Sequence, residues 1–210
     1  MRTATVLAIS GLLIAASAPN TLATAQRHLD RAEVLAEIAS LNESLIAGHS
    51  ATAVLQAWCA KYKMANPPRI VAKRDHGIDK PVTARQRRLL GVGPDEPIKY
   101  RRVQLLCGSH VLSVADNWYV PNRLTLAMNA QLETTRVPFG LVVRPLHPVR
   151  RTLSVERIWL PRPRDLTRSG RLLVVPTYLF RHTAIVLDDH YRPLAEVIEN
   201  YTGESLNHPR

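Results

Sequence analysis

Two neighbouring stretches, Lys99 to Cys107 and Val111 to Val120, read as the arms of a β-hairpin, and they constrain the fold more than anything else in the chain. Both are rich in β-branched, aromatic and aliphatic side chains, and Gly108-Ser109 between them supplies the turn. An isolated hairpin is at best marginally stable, so this one calls for further strands and a covering layer. The later sequence offers strands at Tyr178 to Leu187 and Leu194 to Tyr201, a second hairpin across Asp188-Asp189-His190. Arg69 to Arg74 and Val155 to Trp159 add shorter runs, and Asp75 to Pro81 and Gly91-Val92-Gly93-Pro94 read as turns.

Helical spacing dominates ahead of these strands. From His28 to Ala47 the apolar residues Leu29, Val34, Leu35, Ile38, Leu41, Leu45 and Ile46 recur on one face, and Gly48 ends the pattern. Ser50 then offers an N-cap for a second helix through Thr52, Val54, Leu55 and Trp58, which Pro67-Pro68 terminates. A further helix is expected on the connection from Pro121 to Leu132. Helices first and hairpins later predict an α+β fold, with N-terminal helices packed on a largely antiparallel sheet.

The first 25 residues have the pattern of an export signal: Arg2, an apolar stretch from Ala4 to Ala18, and small residues Ala23-Thr24-Ala25 before a cut at Gln26. The stretch is shorter than the roughly 18 to 20 residues that span a bilayer. The expectation is therefore one domain, residues 26–210, in the periplasm or outside the cell, with no membrane span in the mature chain. That length suffices for a real core.

A formal net charge of +11 raises the question of nucleic acid. The basic residues are scattered, at Arg85 to Arg88, Arg101-Arg102, Arg150-Arg151 and Arg162 to Arg171, without interleaved aromatic residues or a recognition helix. Small anions, or an anionic envelope surface, are the expected partners, and nucleic acid is not. The 8 histidines show neither HxxxH spacing nor a CxxC companion, so no metal site is expected. Cys59 and Cys107 either pair, stabilising by roughly 4 kcal/mol on the chain-entropy model, or are buried apart.

Several short motifs resemble the chorismate lyases. Tyr100-Arg101-Arg102-Val103-Gln104-Leu105-Leu106-Cys107, followed by Trp118-Tyr119-Val120-Pro121, is similar to that family's central strand pair. Gly48-His49-Ser50-Ala51-Thr52 resembles its Ser-x-Thr helix start, Val137-Pro138-Phe139-Gly140 its Pro-Leu-Gly turn, and Arg192 to Tyr201 its final strand. The resemblance implies a closed cavity in which Arg102 grips the carboxylate of an aromatic acid, as a planar, always-charged fork can. It implies that a glutamate meets the far end of that acid. Glu196 and Glu199 compete for the role; three apart on a strand, they face opposite ways, and Glu199 is favoured.

Ala51, Thr52, Asn117, Phe139 and Gly140 would complete the pocket. Phe139 stands in place of a smaller aliphatic residue, Ala51 of a longer one, and Asn117 of a second arginine. The implied chemistry is elimination of pyruvate from chorismate to leave 4-hydroxybenzoate, with Arg102 and Glu199 as the catalytic pair and no cofactor. The alternative is a non-catalytic periplasmic sensor for a small aromatic carboxylic acid on the same scaffold. A third reading is an envelope interaction module. The oligomeric state is left open.

Overall fold

The computed structural model describes residues 31–160 and 175–208. The expected signal segment, residues 1–25, and the basic run Arg162 to Arg171 lie outside the described residues. The chain is α+β: helices α1 (Arg31–Ala47) and α2 (Ala51–Lys61) precede β1 (Ile70–Asp75), α3 (Ala84–Leu90), β2 (Lys99–Cys107) and β3 (His110–Tyr119). Helices α4 (Leu126–Thr134) and α5 (Phe139–Val142) lead to β4 (Val149–Arg157), β5 (Tyr178–Leu187) and β6 (Pro193–Thr202).

The strands make one sheet of order β1-β2-β3-β6-β5-β4, with every neighbouring pair antiparallel. The two hairpins meet at its centre, β3 against β6. Gly108 closes the first with φ of 58°, and an added Cβ there would come within 2.9 Å of Ala65 Cβ. A left-handed, crowded position of this kind suits glycine alone.

Side chains alternate across β2: Val103, Leu105 and Cys107 are buried towards the helices, while Arg102, Gln104 and Leu106 face the other way, part-exposed. The register continues the inner face through Ala115 and Asn117 on β3 to Val197 and Glu199 on β6. Helix α1 buries Val34, Ile38, Leu41 and Leu45, one stripe at helical spacing. Ser50 Oγ accepts from the Ala53 amide and starts α2, whose Leu55, Trp58 and Cys59 are buried. A disulfide joins Cys59 on α2 to Cys107 at the end of β2, Cα atoms 6.0 Å apart across 48 positions.

The elements depart from the sequence reading in three places. Residues 84–90, between the two expected turn regions, form α3: Thr83 and Gln86 make a reciprocal capping box, and Gly91 ends the helix at φ of 60°. Only Gln86 and Leu90 of this helix are buried, too few for a periodic signal. The segment from Pro121 opens as a 3-10 turn, and the α-helix begins at Leu126, capped by Thr125. Strand β4 starts at Val149, six residues before its expected start at Val155.

Candidate functional site

The inner face of the sheet and the N-terminus of α2 enclose a cavity of about 60 Å³, or about 550 Å³ with its mouth. Val103 and Leu105 on β2, Ala115 on β3, Val186 on β5 and Val197 on β6 give it an apolar floor; Phe139, Gly140 and Val143 form the opposite wall. His49, Ser50, Ala51 and Thr52 bring the start of α2 to the rim. The first amides of a helix have no partner within it and carry partial positive charge, so this rim favours an anion. Gly140 permits the close approach, since a Cβ there would lie 3.1 Å from both Ser50 Oγ and Thr52 Oγ1.

Besides His49 at the rim, two ionisable side chains line the cavity, Arg150 from β4 and Glu199 from β6. Arg150 is 8% exposed; Nη1 donates to Leu45 O at 3.1 Å and Thr152 Oγ1 at 2.9 Å, and Nη2 lies 3.4 Å from His182 Nδ1. Its Nε has no partner among the described residues. His182, buried and within 2.8 Å of Asn42 Oδ1 through Nε2, is pushed down to about 4 by burial and then by Arg150. A neutral ring protonated at Nε2 accepts from Arg150 and donates to Asn42.

Glu199 is 2% exposed and accepts from Ser113 Oγ at 2.6 Å and from Tyr201 OH at 2.9 Å. Burial, and then the Glu199 carboxylate, push Tyr201 well above the usual phenol range, so it remains a donor. Both of these partners are neutral hydroxyls. A carboxylate offers about four acceptor sites, so Glu199 retains capacity for a donor on a ligand.

No family model matches the chain. It is 42% identical over 189 residues to the uncharacterized protein y4mC of Sinorhizobium fredii, a match covering 86% of this chain and 80% of that one. The chain belongs to the family of that protein.

Among solved structures it is similar to PhnF from Mycobacterium smegmatis (12% identity, 84% of this chain and 87% of that one, TM-score 0.47). It is also similar to the ligand-binding domain of a putative GntR-family transcriptional regulator from Bordetella bronchiseptica (17%, 65% and 84%, TM-score 0.42). A third is the possible transcriptional regulator YydK from Bacillus subtilis, at 14% and TM-score 0.42, where the match takes in 65% of this chain and 59% of that one.

These findings correct the resemblance to the chorismate lyases. Two of the solved structures just named are a possible transcriptional regulator and the ligand-binding domain of a putative one, none is named a lyase, and the 42% identical relative is an uncharacterized protein. The geometry removes the motif on which the lyase reading turned. Arg102 does not line the cavity: it lies on the outer face, where Nη1 is 3.1 Å from Asp116 Oδ1 and Nε 3.8 Å from Asp75 Oδ2. Alternation is the reason, because Arg102 shares a side with Gln104 and Leu106, opposite to Val103 and Leu105.

The other expected site residues divide. Ala51, Thr52, Asn117, Phe139, Gly140 and Glu199 all line the cavity, whereas Glu196 is buried on the outer face with its carboxylate on Arg85 of α3. Asn117 donates to Arg101 O at 3.3 Å, which turns part of its amide back to the strand. Sequence reasoning missed Arg150 as a site residue. It stands in an Arg-Arg pair whose second member is exposed, and only the strand's alternation tells them apart. Among the described residues no cluster of His, Cys, Asp and Glu could hold a metal ion, and no helix is long and apolar enough to cross a membrane.

Proposed function

We propose that this domain binds a small organic acid without chemically transforming it. The carrying observation is that Arg150 and Glu199, both buried, line one apolar cavity whose rim is formed by the start of α2. The acid's carboxylate sits at the start of α2 beside Arg150 Nε, and a hydroxyl or ammonium at its other end donates to Glu199. Such opposed anchors set length and orientation, and the apolar floor between them suits a ring or short aliphatic body. The enclosed part is small beside the roughly 300 to 1,000 Å³ of pockets for drug-sized ligands, so a compact acid such as a hydroxybenzoate would extend from it into the mouth. The pattern of residues 1–25 supports placing this binding outside the cytoplasm.

Calorimetric titration of the protein with 4-hydroxybenzoate, benzoate and phenol tests the two anchors. Binding strongest for the hydroxy acid, and weakened at least tenfold by both Arg150→Gln and Glu199→Gln, is the expected result. Equal affinity for all three compounds, or binding indifferent to both substitutions, would sink this reading.

A further inference from the structure

A second basin of about 510 Å³ opens at the end of the sheet where β1 stops at Asp75 and β2 runs on to Lys99. Its walls carry Arg74, Lys80, Lys99, Arg101 and Arg102, together with the rings of Tyr100, Trp118 and Tyr119. Three of those cations already hold carboxylates. Lys80 reaches Asp116 at 2.7 Å, Lys99 pairs with Glu133, and Arg102 bridges Asp116 and Asp75. Arg74 and Arg101 have no such partner among the described residues, and Asp79 is the remaining carboxylate of the wall.

Arg101 is the anomaly. It is 2% exposed, its Nη2 makes one long contact to Val137 O at 3.4 Å, and Nε and Nη1 have no partner among the described residues. Burying a guanidinium with its fork unmatched is costly, and natural interiors avoid it unless a partner arrives. Burial, and then the like charge of Arg74, pull Arg101 down to about 10, which still leaves it ionised near neutrality. Two adjacent forks present more donors than one carboxylate accepts, whereas a phosphate monoester brings a charge of about −1.5 to −2 and three terminal oxygens.

We infer that this basin is a second ligand site, separate from the acid cavity, in which Arg101 and Arg74 hold the phosphoryl group of a small phosphate monoester. The Tyr119 ring, which lines the basin on the same face of the sheet as both arginines, offers a wall for its organic body. The site is independent of the function proposed for the cavity, since neither arginine lines that cavity.

The test uses the full chain and inorganic phosphate or phenyl phosphate at constant ionic strength, with acetate as the control anion. Thermal unfolding and calorimetry are expected to show stabilisation by both phosphates, tighter binding of phenyl phosphate, and little response to acetate. Arg74→Gln, at the part-exposed rim, should weaken phosphate binding at least tenfold, and Arg101→Leu should abolish it. Arg150→Gln should leave it unchanged. The proposal is overturned if acetate stabilises as well as phosphate, if Arg74→Gln binds like the unmodified protein, or if Arg150→Gln is the variant that loses binding.

Discussion

Asp116 on β3 and Glu199 on β6 belong to adjacent strands of one sheet, are 4% and 2% exposed, and point to opposite faces. Asp116 accepts from Lys80 at 2.7 Å, Tyr100 at 2.5 Å and Arg102 at 3.1 Å, so two cations neutralise it. Burial raises its pKa, but these donors and charges outweigh it and hold the group below the usual carboxylate range. Among the described residues Glu199 has only the hydroxyls of Ser113 and Tyr201, and Arg150, which shares its cavity, is engaged with Leu45, Thr152 and His182. A carboxylate saturated by its own chain is doing structural work; one left with hydrogen-bonding capacity beside an open cavity is available to a ligand.

Breaking the saturated side should cost most. Asp116→Ala strands Arg102 and Lys80 and the Tyr100 hydroxyl, and about 3 kcal/mol of unfolding free energy should be lost in urea denaturation, the lower end for a buried pair because Lys80 is part-exposed. A value under about 1 kcal/mol would remove the contrast between the two faces.

Acid should act on the cavity side first. His182 is held neutral with a pKa of about 4, against about 6.5 in an unfolded chain, so on acidification the unfolded state takes up the proton first. Stability is complete above about pH 6.5 and falls as pH drops towards about 4, by as much as about 3 kcal/mol at one pKa unit per 1.36 kcal/mol. His182→Gln should flatten denaturant midpoints across that window. Asp116 and Asp188, both lowered, add their own losses only below the ordinary carboxylate range.

Glu199→Gln should change stability by less than about 1 kcal/mol, since one of the two hydroxyls keeps an acceptor and the other can turn to accept from the new amide N–H. A loss as large as that from Asp116→Ala would make both carboxylates structural. The smallest effect is expected from Gly140→Ala: its methyl meets Ser50 Oγ and Thr52 Oγ1 at 3.1 Å, so α2 must give by a few tenths of an ångström. Thermal unfolding should shift little, while affinity for a small acid at the α2 terminus should fall a few-fold.

Local pattern determined a great deal. The hairpin turn at Gly108, the Ser50 cap, the buried stripe of α1 and the strand from Tyr178 to Leu187 all follow from residues close in sequence, because capping, periodicity and turn chemistry act over a few positions. Even α3 left a local trace in Thr83-x-x-Gln86, overlooked because the segment has so little apolar surface. The faces of the sheet were also partly legible: Val103, Leu105 and Cys107 form the apolar half of an alternation that excludes Arg102 and includes Arg101.

What the sequence left open depends on distant partners. Arg150 reaches the cavity because β4 lies beside β5 at the sheet edge, 105 positions from the Leu45 carbonyl it binds. Glu199 and Glu196 differ in setting because one meets the Ser113 hydroxyl and the other Arg85, groups 86 and 111 positions away. Side-chain chemistry is written in the chain; whether a buried charge is satisfied is decided by neighbours that only the tertiary fold supplies.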